Sequence, residues 1–336
     1  MDPLADLLHG VRAQGAQFCK SILSPPWALC FENSARLELH TMLHDEAWII
    51  PETGEPVRLR PGDIAIAHCP GQYVIADDPA TEPDILVRDD CCVRADDGTD
   101  VTESLALGPR TYGRPDGGAV LVSGTYEMPG TLGDRLLCAL PQVLVVPAVA
   151  ESCRHLLNQV AVELERDVPG QQIALDRMLD LLLVFTLRDW FTRPEAETPA
   201  WYGALADPVV GAALRAMHNA PAEPWTVGSL AAHVGVSRAS LARRFTELVG
   251  EPPLSYLTCW RMDLAAELLT RADATVAGVA RRVGYADGFA FSAAFKRVRG
   301  INPRDHRAHA TADAAARPAT RPENRQPPRK VPSSAR

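Results

Sequence analysis

The sequence predicts a multidomain α+β protein: a strand-rich front, a helical middle, and an all-helical rear carrying two helix-turn-helix units. Three features predict it. Short apolar runs with turn residues between them fill residues 34–127. From about Leu132 the apolar spacing changes to three and four residues. Two matching helix–Gly–helix patterns lie about 50 residues apart between Trp225 and Arg307.

Residues 1–17 place Leu4, Leu7, Leu8 and Val11 on one face, which predicts a short helix. Leu37, Leu39 and Thr41 then alternate with Arg36, Glu38 and His40, the period of a strand. Apolar runs follow at Ala47–Ile50, Ile64–Ala67, Tyr73–Ala76 and Ile85–Val87. Turn signals separate them: Glu52-Thr53-Gly54, Pro61-Gly62-Asp63, Pro70-Gly71 and Asp77-Asp78-Pro79. Many short strands at this spacing predict a sandwich or barrel. Residues 88–118 are acidic and Gly-rich and read as a mobile loop, after which Ala119–Tyr126 reads as a strand.

In the helical middle, Cys153–Arg166 and Ile173–Phe191 carry apolar residues at helical steps. The second is apolar around most of its circumference, which predicts burial, and a subunit contact there would make a homodimer. Arg193–Pro199 reads as a linker, and residues 311–336, rich in Pro, Arg, Ser and Ala, as a disordered tail.

In the rear, Thr226 can cap a helix bearing Leu230, Ala231 and Val234. Gly235 turns the chain, and Ser237 caps a second helix with Leu241, Phe245 and Leu248 inward. Its other face shows Arg238, Ala239, Ala242, Arg243 and Thr246, small and basic residues that suit a major groove. The pattern recurs. Thr275 caps Val276, Val279, Ala280 and Val283; Gly284 turns; Asp287 caps a helix with Phe291, Phe295 and Val298 inward. Gly288, Phe289, Ser292, Ala293 and Lys296 face outward. Leu254–Leu269 reads as one long helix joining the units.

Charge supports the division. Residues 1–221 hold 16 Lys+Arg against 32 Asp+Glu, residues 222–309 hold 12 against 8, and residues 310–336 hold 6 against 2. An acidic front with a basic rear suits a chain that binds a polyanion at one end. The eight cysteines lack paired zinc spacing. No apolar run is long enough for a membrane helix and no signal peptide is evident, so a cytoplasmic protein with reduced thiols is expected.

The stretch Ala280–Arg307, with Ala280-Arg-Arg-Val-Gly-Tyr-Ala-Asp-Gly-Phe-Ala-Phe-Ser-Ala-Ala-Phe-Lys at its start, resembles the signature of AraC-type regulators. So does Leu230–Phe245, with Gly250 and Pro253 following. Residues 19–127 resemble a cupin-type sensor domain, through Gly54–Ile64 and Val122–Tyr126; Leu136–Pro147 also fits. The resemblance implies a cupin-like domain over 1–130, a helical dimerisation segment over 131–200, and an AraC-type DNA-binding domain over 205–310. It implies double-stranded promoter DNA as partner, RNA polymerase as a further one, an unknown small-molecule or oxidant effector, and regulation rather than catalysis. The residues expected at DNA are Ser237, Arg238, Ala239, Ala242, Arg243, Asp287, Gly288, Phe289, Ser292, Ala293, Lys296 and Arg304. Arg often stands in this family where this chain has Ala293, so a more apolar reading is expected there, with T-rich sequence under the second unit and a G-containing site under the first.

Many cupins hold a metal, but His40 and His44 are too far apart along one strand, His68 is a weak third, and Tyr73 stands where relatives place a His. No metal or other cofactor and no catalytic residue is therefore expected. Cys19, next to Lys20, is the candidate redox sensor, because a neighbouring cation favours thiolate. The alternative readings are a small-molecule cupin enzyme tethered to DNA and a nucleoid-type binder without specificity.

Overall fold

The computed structural model describes residues 19–316, apart from 33–36, 69–70, 89–90, 109, 127–132, 134–135, 148–150, 167, 194–195, 197 and 272, together with Leu4 and Leu8. The expected N-terminal helix therefore lies largely outside the described residues.

Thirteen described strands form the front: β1 Cys19–Leu23, β2 Ala28–Phe31, β3 Leu37–His44, β4 Ala47–Pro51, β5 Val57–Leu59, β6 Ile64–Ala67, β7 Tyr73–Ala76, β8 Ile85–Arg88, β9 Cys91–Arg94, β10 Ala106–Gly108, β11 Thr111–Gly113, β12 Ala119–Tyr126 and β13 Val143–Val146. A short helix, α1 (Thr102–Leu105), precedes β10. The strands make a seven-stranded sheet, β10-β11-β1-β12-β3-β6-β13, and a six-stranded sheet, β5-β4-β7-β2-β8-β9. The sheets share one core of Trp27, Leu29, Phe31, Met42, Ile49, Tyr73, Ile75 and Leu121. This is the sheet-rich front domain the sequence predicts.

Two segments depart from the expectation. Residues 88–118 are not one mobile loop: they supply β9, α1, β10 and β11, with β11 running parallel to β1. Their acidic, Gly-rich composition hides strands too short to show a period. Val143–Val146, expected to be helical, is a strand paired with Ala67–Ile64, so the sheet reaches past residue 130.

The outer face of the larger sheet is covered by α2 (Glu151–Leu164) and α3 (Gln171–Trp190). Leu37, Leu39, Ile66, Val122 and Tyr126 meet Leu157, Val160, Leu175, Leu179 and Leu182 there. Gly124 permits the close approach, since a Cβ on it would lie 2.7 Å from Leu179 Cδ2. The Tyr126 hydroxyl donates to the Leu179 carbonyl at 2.7 Å. The same core runs on through Phe191 and Trp201 into Leu214, Leu230, Leu241, Phe245 and Trp260.

This changes the meaning of α3. Its apolar faces, Leu182 included, are buried within the chain itself, so they no longer call for a second subunit. Of its large apolar side chains, Ile173 (66%) and Leu181 (47%) remain exposed.

The rear is helical: α4 Ala200–Gly203, α5 Val210–Asn219, α6 Val227–His233, α7 Arg238–Val249, α8 Pro253–Leu269, α9 Val276–Arg282, α10 Gly288–Arg299 and α11 Pro303–Ala316. The second unit has its own core of Met262, Ala265, Leu269, Val279, Val283, Phe291 and Phe295. Helix α8 therefore serves both units, Tyr256, Leu257 and Trp260 on one side and Met262, Ala265 and Leu269 on the other. Helix α11 runs to Ala316, into the stretch expected to be a disordered tail; residues 317–336 lie outside the described residues.

Candidate nucleic-acid interface

Each unit is built by local capping chemistry. Thr226 and Ser229 form a reciprocal capping box at the start of α6, and Ser237 accepts from the Ser240 N–H at 3.2 Å to start α7. In the second unit Thr275 accepts from Gly278 N–H at 3.1 Å. The Asp287 carboxylate accepts from the N–H groups of Phe289 and Ala290, at 2.9 and 3.3 Å. The turns fall at Gly235 and Gly284, at φ of 72° and 82°, a region only glycine enters cheaply.

Helices α7 and α10 superpose in sequence with an offset of 50 residues, from Ser237 and Asp287 to Gly250 and Gly300. Leu241 and Phe245 are buried in one, Phe291 and Phe295 in the other. Directly opposite, at i, i+4 and i+7, stand Ala239, Arg243 and Thr246 on α7, and Phe289, Ala293 and Lys296 on α10. Ala239, Arg243, Thr246, Phe289, Ala293 and Lys296 are all exposed, Phe289 to 87%. Both units thus present one outward stripe each. Arg238 and Arg304 are also exposed, while Ala242, Gly288 and Ser292 are half-buried flanks. Two expected inward residues turn out: Leu248 and Val298 are exposed, and the half-buried Val249 and the buried Ala294 pack in their place.

Several of these side chains are already engaged. Arg243 pairs with Glu247 at 2.9 Å, but both are well exposed, so the pair is weak and yields readily. Ser237 and Asp287 are the helix caps. Ser292 donates its hydroxyl to the Gly288 carbonyl at 2.7 Å.

The frame that orients the stripes was not read from the sequence. Arg261 on α8 donates to the carbonyls of Pro221 and Glu223, both at 2.7 Å, and its guanidinium lies 5.9 Å from the Tyr285 ring. Gly284 sits against the same loop: a Cβ there would lie 2.6 Å from the Ala222 carbonyl oxygen. The loop before α6 is thereby fastened to the turn of the second unit. Arg244 on α7 grips Asp207 at 2.5 Å, and Asp207 also accepts from the N–H groups of Val209 and Val210 at the start of α5. Burial opposes the charge on Asp207, but these N–H groups and Arg244 outweigh it and hold its carboxyl below the ordinary range.

The sandwich interior holds a polar group that the sequence reading passed over. His40 Nδ1 lies 2.8 Å from Ser123 Oγ and Nε2 lies 2.6 Å from the Tyr73 hydroxyl, which donates to the Glu38 carboxylate. Phe31 stacks on Tyr73 with ring centroids 5.2 Å apart. With Tyr73 donating its one proton to Glu38, its hydroxyl oxygen accepts from Nε2–H, and Ser123 partners Nδ1, so each polar group has a partner. The available signal was Glu38 and His40, two apart on one strand and so on one face. His44, by contrast, is exposed, and His68 Nε2 lies 2.9 Å from the Leu140 carbonyl. Among the described residues no group of three His, Cys, Asp or Glu could hold a metal.

Cys19 pairs in register with Ser123. Its thiol is pushed up to about 12, by burial first, then by the charges of Cys92 and Glu38, against hydrogen bonds from Ser123. This corrects the electrostatic argument for Cys19: Lys20 turns to Glu165 at 3.5 Å, and the surroundings favour the protonated thiol. Cys92 is likewise pushed up to about 11, by burial, Cys91 and Asp100.

Paired outward stripes on a rigid helical frame, joined to a cupin sandwich, define the class: a DNA-binding transcription regulator with a cupin domain. Residues 2–192 match the cupin family model, and residues 230–309 match a helix-turn-helix domain model. A Streptomyces lividans protein described as an AraC-like transcription regulator is 32% identical over 320 residues, 93% of this chain and 99% of that one. The HTH-type transcriptional regulator AlkR of Acinetobacter baylyi is 28% identical over 91% of this chain and 99% of its own. Among solved structures, the DNA-binding domain of AdpA in complex with a target DNA is 32% identical, covering 33% of this chain and 99% of that one, with a TM-score of 0.31. The chain belongs to the AraC-type family of transcription regulators. Among the described residues, no helix is long and apolar enough to cross a membrane.

Proposed function

We propose that this protein binds double-stranded promoter DNA in the cytoplasm with α7 and α10 in successive major grooves, and that its cupin domain sets when it does so. The observation that carries this is the pair of outward stripes, each opposite its own core and held by α8. Arg243 reads guanine through O6 and N7, Ala239 and Ala242 let α7 approach, and Arg238, Lys296 and Arg304 take phosphates. Ser237 and Asp287 contribute by fixing the first turns of the two helices. The half-sites lie roughly 10 base pairs apart.

The signal enters through the sandwich, whose strands carry the half-buried Cys19 and Cys92 and the buried His40 group, and takes the form of a small molecule or an oxidant. Helix α3 is suited to pass it on. It presses Leu179 onto Gly124 and, at its far end, leads through Phe191 to Tyr202, with ring centroids 4.7 Å apart. If Cys19 receives an oxidant, Cys19→Ser abolishes the promoter response and leaves basal DNA binding intact. A homodimer would use the exposed Ile173 and Leu181, and RNA polymerase is the further partner. The protein acts by binding rather than catalysis, in keeping with relatives named as regulators.

Selection of bound duplexes from a random pool by the full chain tests the reading. A bipartite motif is expected, with affinity falling steeply as salt rises, and Arg243→Ala should relax one base pair by about 1–3 kcal/mol. Enrichment of no motif would overturn sequence-specific binding.

A further inference from the structure

We propose that Phe289 on α10 reads the C5-methyl group of a pyrimidine, so that the second half-site recognises thymine or 5-methylcytosine by its methyl alone. This rests on the assignment of α10 to a major groove. The two outward stripes correspond position by position, yet their chemistry is exchanged. Where α7 has Ala239, α10 has Phe289; where α7 has Arg243, α10 has Ala293. The first two turns of α10 offer a groove almost nothing but hydrocarbon: the Phe289 ring, exposed to 87%, and the exposed methyls of Ala290 and Ala293.

The polar groups nearby are committed elsewhere. The N–H groups of Phe289 and Ala290 donate to Asp287, and the Ser292 hydroxyl donates to the Gly288 carbonyl. The cations come later along the helix, at Lys296 and Arg297, both exposed, and suit phosphates. A phenyl ring held out into water is unfavourable until an apolar partner covers it. In the major groove that partner is the C5-methyl of thymine, and methylated cytosine presents the same group at the same place. A ring that makes no hydrogen bond does not distinguish the O4 of thymine from the N4 amino group of cytosine.

The test uses the full chain and its selected duplex. Each thymine of the second half-site is replaced in turn by deoxyuridine, which removes the methyl and nothing else. At one or two positions the affinity should fall about fourfold, the value of burying one methyl-sized group. Placing cytosine at that position and then methylating it at C5 should recover a similar factor. Phe289→Ala should bind thymine and deoxyuridine duplexes alike, while Arg243→Ala should keep the deoxyuridine loss. Sequence-specific binding with no deoxyuridine loss at any second-site position overturns the methyl reading and leaves the proposed function standing. A loss that persists in Phe289→Ala overturns it as well. Failure of the full chain to select any duplex instead overturns the proposed function itself.

Discussion

At the scale of single residues, Cys19 has a thiol pushed up to about 12 by burial and the charges of Cys92 and Glu38, although Lys20 is its neighbour in the sequence. Its alkylation by iodoacetamide, followed by mass spectrometry, should therefore keep accelerating with pH well above 9. A plateau near 9 would show an ordinary thiol. The same shift has a consequence for stability. Between about pH 9 and 12 the folded chain holds a proton here that the unfolded chain has released. This contribution is present below pH 9 and is lost as pH rises through the folded value. Cys19→Ala should flatten the alkaline fall in denaturant stability.

At the scale of elements, the turns and α3 carry different demands. Gly284 and Gly235 have similar φ values, but a Cβ at Gly284 meets the Ala222 carbonyl at 2.6 Å and one at Gly235 meets nothing within 4 Å. Gly235→Ala should cost about 1 kcal/mol, the strain of the left-handed backbone alone. Gly284→Ala should cost clearly more, about 2–3 kcal/mol, because backbone must also move. Equal losses in urea unfolding would mean that the loop does not pack as described. In α3, Leu182 is fully buried within the chain and Leu181 is half exposed. Leu182→Asp should unfold the protein at any concentration. Leu181→Asp should leave it folded, and if α3 joins two copies, sedimentation should show the protomer alone.

At the scale of the whole molecule, one apolar core runs from the outer face of the sheet through Phe191 and Trp201 to Leu241 and Phe245. The first unit is thus not closed at residue 205. A fragment 199–316 keeps Trp201 and Tyr202, whose ring centroids lie 5.8 Å apart, whereas 205–316 loses both. The longer fragment should melt higher and bind the selected duplex more tightly in thermal and fluorescence titrations. Indistinguishable fragments would show that Trp201 adds nothing to the first unit. The second unit, with a separate core around Phe291 and Phe295, should respond little to this cut.

The sequence by itself determined helices α7 and α10 and their facing, Phe289 outward and Phe291 and Phe295 inward, because helical period and end caps are local properties. It also showed the front to be strands, through turn residues between apolar runs. It failed at Leu248 and Val298, which sit at the edge of an apolar stripe where period alone does not decide burial. Only the tertiary structure decided three things. It buried α3 against its own sheet, gathered Glu38, His40, Tyr73 and Ser123 into one network, and set Arg261 and Gly284 against the loop at Ala222. Each joins residues tens of positions apart in the chain. Strand register and helix packing bring such partners together, and no periodicity along a single segment records which distant segment will supply the other half of a contact.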